Sequence, residues 1–386
     1  MFIGLFACCK TDAVKAEKLT LLFAGDAMQH QSQIDNAFRD GRYDYSSCFQ
    51  HITHEISQAD FAVVNLEVTL GGTPYKGYPR FSAPDEYAGA LKDAGFDLFL
   101  TANNHILDRF SKGLHRTLNV LDSLEIKHTG VFRSAAERKE IYPLMIEKKN
   151  IRMAFLNYTY GTNGIHPVAP DYVNYIDTNR IREDIQRAKE LKADFIIANM
   201  HWGEEYKLIQ NKAQEKIAQR LMDQGVNIVI GSHPHVVQPS LAMTDSTGAI
   251  SGIVVYSLGN FVSAMVAPNT DGGQLIKIVL DKKDGKPVIV SCGYLLIYTE
   301  KKRIGLQTDF SIVPVLWTDP LPDKKTFFRP PFIPLDSVNY RKMKRFSDGA
   351  RAILNTRNKG IPEFRFTAPE QEERFLTKFL PLKFVE

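Results

Sequence analysis

From residue 19 to about residue 300, short aliphatic runs alternate with amphipathic stretches, and this alternation restricts the possible fold more than any other feature. The aliphatic runs predict buried strands over residues 19–26, 60–67, 97–103, 152–158, 194–201, 227–233 and 252–261. The stretches between them predict helices, among them residues 85–95, 113–125, 179–191 and 213–225. Aliphatic strands flanked by amphipathic helices indicate an α/β protein whose sheet is covered on both faces.

The pattern changes towards the C-terminus. Residues 272–300 predict a β-hairpin that turns in a Lys-Lys-Asp-Gly-Lys segment and is followed by a further strand. Residues 301–386 combine proline-rich loops with short helical pieces. We therefore predict a main domain over 19–300 and a C-terminal appendage over 301–386 that packs on its core, with residues 1–18 as a separate N-terminal segment.

The composition is typical of a globular protein and argues against a nucleic-acid partner. The 386 residues are 44% hydrophobic and 24% charged, and 48 basic against 44 acidic residues leave a formal charge of +4. That excess is small for the length, and no basic run is interleaved with aromatic residues. The cysteines, at positions 8, 9, 48 and 292, lack the spacing of a disulfide framework or a zinc ribbon.

The N-terminal segment allows two interpretations. The residues Leu5-Phe6-Ala7-Cys8 resemble the end of a bacterial lipoprotein signal, in which the cysteine is lipidated after cleavage. On this interpretation the protein is exported, resides in the cell envelope and is anchored to the membrane through Cys8. On the other interpretation, residues 1–18 are a short tail.

Polar side chains follow most of the predicted strands, at the points where the strands end. In open α/β sheets, ligands bind beyond the carboxyl ends of the strands, so these side chains mark the expected site. They are Asp26, Glu67, Asn104, His105, His201, His233 and His235. Each alone has a structural explanation as a helix cap, a turn residue or a core histidine, but their joint placement favours a site.

The residue types indicate a metal. Carboxylate, amide and imidazole donors without cysteine suit Mn, Zn or ferrous iron, bound as one or two ions. The predicted ligands are Asp26, Glu67, Asn104, His201, His233 and His235. Glu67 or Asp26 could bridge two cations, and His30, four residues after Asp26, is a further candidate.

Six motifs occur in an order that resembles a known family. They are LLFAGDAM, VVNLEVTL, the segment from YPRF to HILDR, HWGEEY, GSHPHVVQP and YSLGNFV. As a set they resemble the CapA-type poly-γ-glutamate capsule biosynthesis family, which is related to calcineurin-like metallophosphoesterases. The resemblance covers roughly residues 19–300. It implies a four-layer α/β/β/α sandwich of the metallo-dependent phosphatase type, here with a C-terminal extension.

The resemblance also implies individual roles. Asp26, Glu67, Asn104, His201, His233 and His235 match the metal ligands, and His105 matches the catalytic histidine. Met28 stands where the phosphoesterases carry a second ligand after the aspartate, so one ligand is missing unless His30 or another group replaces it. The CapA-like pattern shares this methionine.

The implied function is capsule or poly-γ-glutamate-type anionic polymer biosynthesis or export, with the protein acting as a metal-dependent hydrolase. The alternative is a non-enzymatic scaffold that binds the polymer through a degenerate metal site, and a general phosphoesterase for nucleotides or phosphoproteins is a weaker third option. Lys76, Arg80 and Arg109 are predicted to bind substrate carboxylates, and Trp202 is predicted to line the pocket together with Phe81.

Overall fold

The structure, a computed structural model, describes residues 18–305, 307–315 and 335–364. The predicted lipidation site at Cys8 lies outside these residues. No helix in the described ranges is both long and apolar enough to cross a membrane.

The strands agree closely with the aliphatic runs. In chain order they are β1 Leu19–Ala27, β2 Phe38–Arg39, β3 Arg42–Tyr43, β4 Phe61–Leu66, β5 Leu98–Leu100, β6 Lys127–Thr129, β7 Val131–Phe132, β8 Leu144–Lys148, β9 Ile151–Thr159, β10 Tyr172–Val173, β11 Phe195–His201, β12 Ile228–Ser232, β13 Ser240–Thr244, β14 Ile250–Val255, β15 Asn260–Val262, β16 Gly272–Lys283, β17 Lys286–Ile304 and β18 Gln307–Pro314. The single strand predicted over 252–261 is wrong, because the chain turns between β14 and β15 and Gly259 has a φ of 71°.

The helices also follow the predicted positions. They are α1 Gln31–Ala37, α2 Ser46–Phe49, α3 Thr53–Ser57, α4 Asp85–Asp93, α5 Phe110–Ser123, α6 Ala135–Ile141, α7 Thr178–Glu190, α8 Lys212–Asp223 and α9 Ser337–Arg357. The predicted hairpin is confirmed as β16 and β17, which pair in antiparallel fashion. Its turn holds Asp284 and Gly285 at φ of 52° and 75°, the positive values that a tight hairpin turn requires.

Two half-sheets stack face to face. One has the strand order β6-β5-β4-β1-β16-β17 and the other the order β14-β12-β11-β9-β8, and β14 meets β17 at Ile250 and Ile289. Alternate residues of each strand point to opposite faces. Leu21 and Phe23 of β1 join an inner core between the half-sheets, whereas Leu22 faces the outer core under α2 to α5.

The second half-sheet repeats this arrangement. Ile197 of β11 lies in the inner core, whereas Ala198 packs with α7 and α8 on the outer face. The order of layers is therefore helices, sheet, sheet and helices, which confirms the predicted α/β/β/α sandwich.

The segment after residue 300 is continuous with this core. The boundary predicted at residue 300 falls inside β17, and β18 extends the first half-sheet by pairing with β17. Helix α9 buries Met343, Phe346 and Leu354 in the inner core. The described part of 301–386 thus completes the sandwich, because its apolar side chains cover one end of the space between the sheets.

Candidate metal centre

The predicted ligands converge at the carboxyl ends of strands from both half-sheets. Asp26 ends β1, Glu67 follows β4, Asn104 follows β5, His201 ends β11, and His233 and His235 follow β12. All of these side chains are buried, with 4% or less of each residue exposed. We call these residues, Asp26, Glu67, Asn104, His201, His233 and His235, the metal cage.

Glu67 lies at the middle of the cage. Its Oε1 is 3.6 Å from Nε2 of His201 and 3.7 Å from Nε2 of His235. Donor atoms of Glu67, His201 and His233 lie within 4.8 Å of one another, and the same holds for Asp26, Glu67 and His235. These groups share Glu67, so this carboxylate holds the position of a bridging ligand.

Other polar side chains fix the orientation of the ligands. The Asn65 amide donates to Oδ1 of Asp26 at 2.8 Å, and Nδ1 of His235 lies 3.0 Å from Oδ1 of Asn260. Nδ1 of His201 is 3.1 Å from Oγ of Ser232, and its Nε2 is 2.9 Å from Oδ1 of Asn104. Contacts of this kind hold imidazole rings in place for metal binding. Asn65 and Asn260 occur in the quoted motifs, yet the sequence analysis assigned them no role.

The His-Pro-His turn is held in an unfavourable backbone conformation. His233 and His235 have φ of 97° and 57°, in the left-handed region that residues other than glycine rarely adopt. The backbone N–H of His233 donates to Oδ2 of Asp26 at 3.1 Å, which ties the turn to β1. Upstream, a Cβ at Gly231 would lie 1.9 Å from the Tyr256 carbonyl oxygen, so only glycine allows this close strand approach.

Burial and neighbouring charges set the protonation of the cage. Burial alone would raise the pKa of Asp26, but the hydrogen bond and charge of His235 and the Asn65 amide outweigh it and lower this pKa. Burial and the charge of Asp26 raise the pKa of Glu67 well above its usual value. Burial also lowers the pKa of His201 well below its usual value and that of His233 to about 3. Both imidazoles are therefore neutral at physiological pH, the form that binds metals.

Two orphaned polar atoms show that the cage fits a cation. Oε1 of Glu67 and Nδ1 of His233 are buried without a hydrogen-bond partner. Buried polar atoms normally have a partner, and leaving one without costs about 1–3 kcal/mol. A divalent ion bound by the carboxylate and imidazole donors would offset this cost, and the absence of thiolates favours Mn, Zn or Fe.

His105 stands beside the cage and is oriented by Asp108. Its Nδ1 lies 2.7 Å from Oδ2 of Asp108, which also accepts from the backbone N–H of Phe81 at 2.8 Å. The Phe81 ring contacts the imidazole edge-on, with 4.6 Å between centroids. Asp108 was not predicted from the sequence, although its spacing of three residues from His105 in a tight turn was a usable signal.

Comparison with known proteins gives the family. Residues 20–265 match the family described as bacterial capsule synthesis protein PGA_cap. The chain belongs to this family. It is 30% identical over 260 residues to the capsule biosynthesis protein CapA of Bacillus anthracis. The aligned region covers 64% of this chain and 60% of that protein. It is 28% identical over 304 residues to the PGA biosynthesis protein CapA of Bacillus subtilis (strain 168), 74% of this chain and 73% of that protein.

The aligned region therefore spans about three-fifths of the Bacillus anthracis relative. Among solved structures, the calcineurin-like phosphoesterase YfkN from Bacillus subtilis aligns with 87% of this chain and 98% of its own, at 14% identity and a TM-score of 0.45. The NAD nucleotidase NadN of Haemophilus influenzae aligns with 94% of this chain and 60% of its own, at 12% identity and a TM-score of 0.47.

In this PGA_cap family member, the predicted substrate-binding residues Lys76, Arg80 and Arg109 lie on the chain segments that flank Phe81 and His105. Lys76 and Arg80 are exposed on the loop that precedes Phe81, and the Arg80 guanidinium lies 5.3 Å from the centroid of the Phe110 ring. Arg109 donates to the Pro74 carbonyl at 3.1 Å. None of the three basic residues forms an ion pair with an acidic residue in the described ranges.

Trp202 occupies a different place from the one predicted. The residue is 2% exposed, packs in the outer core of the second half-sheet, and its Nε1 donates to the Tyr256 carbonyl at 2.9 Å. Tyr160 and Tyr206 lie beside the histidines of the cage instead, with 4.5 Å between the ring centroids of Tyr160 and His233 and 6.3 Å between those of Tyr206 and His235. Both tyrosines are more than two-fifths exposed, at 49% and 44%.

Met28, which stands at the missing ligand position, and His30, the candidate to replace it, both lie outside the metal cage. Met28 is 1% exposed and packs in the outer core of the first half-sheet. Nδ1 of His30 is engaged by the backbone N–H of Ala264 at 3.4 Å and lies 3.3 Å from Oε1 of Gln33. Neither Met28 nor His30 belongs to a group of described residues that could hold a metal.

Proposed function

We propose that this protein is a metal-dependent hydrolase of the cell envelope that acts on an anionic polymer of the poly-γ-glutamate type during capsule biosynthesis. The proposal depends mainly on the close approach of the buried residues Glu67, His201 and His233. In addition, Oε1 of Glu67 and Nδ1 of His233 have no hydrogen-bond partner. Membership of the capsule synthesis family and the similarity to a protein named for PGA biosynthesis support the choice of polymer.

The metal cage would hold one or two divalent ions, and Glu67, which belongs to two of the donor groups, would help to bind them. When bound, such ions polarise a phosphoryl or carbonyl oxygen and lower the pKa of water. The chain's own contribution is to keep the imidazoles of His201 and His233 neutral and to fix the orientation of the donors. Asn65 holds Asp26, Ser232 holds His201 and Asn260 holds His235.

His105 is the proton donor for the leaving group in this proposal. Because Asp108 occupies Nδ1, the opposite ring nitrogen, Nε2, is the one that exchanges a proton with substrate. The contact with Asp108 also fixes the orientation of the His105 ring. Asp108 is therefore a positioning residue, and His105 is the catalytic one.

The basic residues supply affinity for a polyanion. Lys76, Arg80 and Arg109 lie on segments next to His105. Arginine can bind a carboxylate through two parallel hydrogen bonds, so Arg80 and Arg109 suit glutamyl carboxylates. We further propose export and anchoring through Cys8, which would bring the site to the compartment where capsule polymer is assembled.

A second candidate function is a polymer-binding scaffold without turnover. The burial of Met28 in the apolar core favours it, since the phosphoesterase pattern places a metal ligand at this position. The two candidates differ in one measurable property, which is hydrolysis by the metal-loaded protein.

The test is an assay of purified protein loaded with Mn²⁺ against poly-γ-glutamate, with chain length and newly formed amino groups as readouts. We expect slow cleavage that His105→Ala reduces at least a hundredfold while metal content stays unchanged, since general acid catalysis contributes about 10²- to 10⁴-fold. His51→Ala, which changes a histidine on the outer helical layer, should retain activity. No cleavage by the metal-loaded wild type, or equal cleavage by His105→Ala, would reject the hydrolase and favour the scaffold.

A further inference from the structure

Glu205 is a carboxylate at the cage that neither the family resemblance nor the motif analysis assigned. Its Oε1 lies 3.9 Å from Nε2 of His235, and the donor atoms of Glu205, His233 and His235 all lie within 4.8 Å of one another. Nε2 of His235 therefore faces Oε1 of two carboxylates, that of Glu67 at 3.7 Å and that of Glu205.

The backbone holds Glu205 in this position. On one side of it, the N–H of Trp202 donates to the Ser232 carbonyl at 3.1 Å, and on the other, the N–H of Tyr206 donates to the Pro234 carbonyl at 2.8 Å. The loop that carries Glu205 is thus hydrogen-bonded on both sides of this residue, to Ser232 at the end of β12 and to Pro234 in the His-Pro-His turn. Tyr206 has a φ of 66°, a strained value that persists only where surrounding contacts impose it.

The distances from the donor atom of His235 to those of Glu67 and Glu205 are close to those between two ligands of one metal ion. Two donors about 2.1 Å from a tetrahedral ion lie roughly 3.4 Å apart. The distances from Nε2 of His235 to the carboxylates of Glu67 and Glu205, 3.7 and 3.9 Å, need only small movements to reach this value. The side chain of Glu205 is 43% exposed, whereas that of His235 is 1% exposed, so Glu205 approaches from the solvent side of the cage.

We infer that Glu205 is a further metal ligand, which joins His233 and His235 from the solvent side of the cage. Glu205, on the loop after β11, forms one metal-capable group with His233 and His235, and His235 is shared with the group of Asp26 and Glu67. This inference rests on the proposed metal centre but not on turnover.

The test uses Mn²⁺ alone as the probe, with wild type, Glu205→Gln and the neighbouring Glu204→Gln as matched control. Glu204 is also exposed, but its carboxylate accepts from the Asn211 amide at 3.1 Å and belongs to no metal-capable group of described residues. Titration calorimetry, metal analysis after reconstitution and Mn²⁺ electron paramagnetic resonance would be measured together, and circular dichroism would verify folding.

We expect Glu205→Gln to weaken the more weakly held Mn²⁺ at least tenfold and to change the resonance spectrum, while Glu204→Gln behaves as wild type. Wild-type stoichiometry, affinity and spectrum in Glu205→Gln would overturn the inference, as would a wild-type protein that binds no Mn²⁺. A protein whose Mn²⁺ binding depends on Glu205 but which cleaves no polymer would reject the hydrolase proposal and leave this inference intact.

Discussion

At the scale of single residues, the centre is built from groups whose burial is unfavourable in isolation. Glu67 and His201 have no exposed surface, and His233 and His235 are held at positive φ. A strained backbone conformation costs about 1–3 kcal/mol, and so does an unpaired buried polar atom. Such costs persist where the surrounding packing imposes them, and they concentrate at functional sites.

His30 is half-buried beside the centre without belonging to it, and it gives a prediction about pH. Burial lowers its pKa from 6.5 to about 4. The unfolded chain therefore takes up a proton at this position before the folded protein does, and folding stability falls as pH decreases from 6.5 towards 4. His30→Gln removes this contribution, which is at most about 1.4 kcal/mol per pH unit.

The measurement is urea unfolding of metal-free wild type and His30→Gln at pH 7 and pH 5. The wild type should lose more free energy of unfolding than the variant between these two pH values. An identical pH dependence in both proteins would show that His30 titrates normally in the folded state.

At the scale of secondary structure, the strands that could be predicted are those with continuous aliphatic runs. Strand β6, Lys127–Thr129, and strand β8, Leu144–Lys148, were not predicted, because they carry charged residues and lie at the edges of the half-sheets. Their pairing depends on neighbouring strands rather than on local pattern. The positions of the cage residues could be predicted because parallel strands bring their ends together.

Asp108 and Glu205 were missed for a different reason. Their roles depend on which side chains the fold brings near, namely His105 for one and His235 for the other. The spacing of three residues between His105 and Asp108 is a local signal, whereas no residue near Glu205 in the sequence indicates His235 as its partner.

Helix α9 gives the prediction at this scale. Leu354 is 1% exposed in the inner core, whereas Val338, on the same helix, is 50% exposed. Leu354→Ala should lower the free energy of unfolding by about 2–5 kcal/mol, the usual cost of a cavity. Val338→Ala should change it by no more than about 0.5 kcal/mol. Chemical denaturation of the full chain measures both, and a similarly small effect of Leu354→Ala would show that α9 is an appendage outside the core.

At the scale of the whole molecule, the centre joins the two half-sheets. Asp26, Glu67 and Asn104 come from strands of one, and His201 and His233 from strands of the other. A cation bound by both sets crosslinks the sandwich, so metal binding should also raise thermal stability. The metal cage therefore accounts for two properties at once, the buried polar ends of the strands and the close approach of the half-sheets at that edge.

The most direct measurement of this central claim is anomalous diffraction from crystals of the wild-type protein grown with Mn²⁺. We predict an anomalous peak in contact with Glu67, between the His201–His233 side and the Asp26–His235 side of the cage. A well-ordered cage with no anomalous peak at Glu67 in the presence of Mn²⁺ would contradict it.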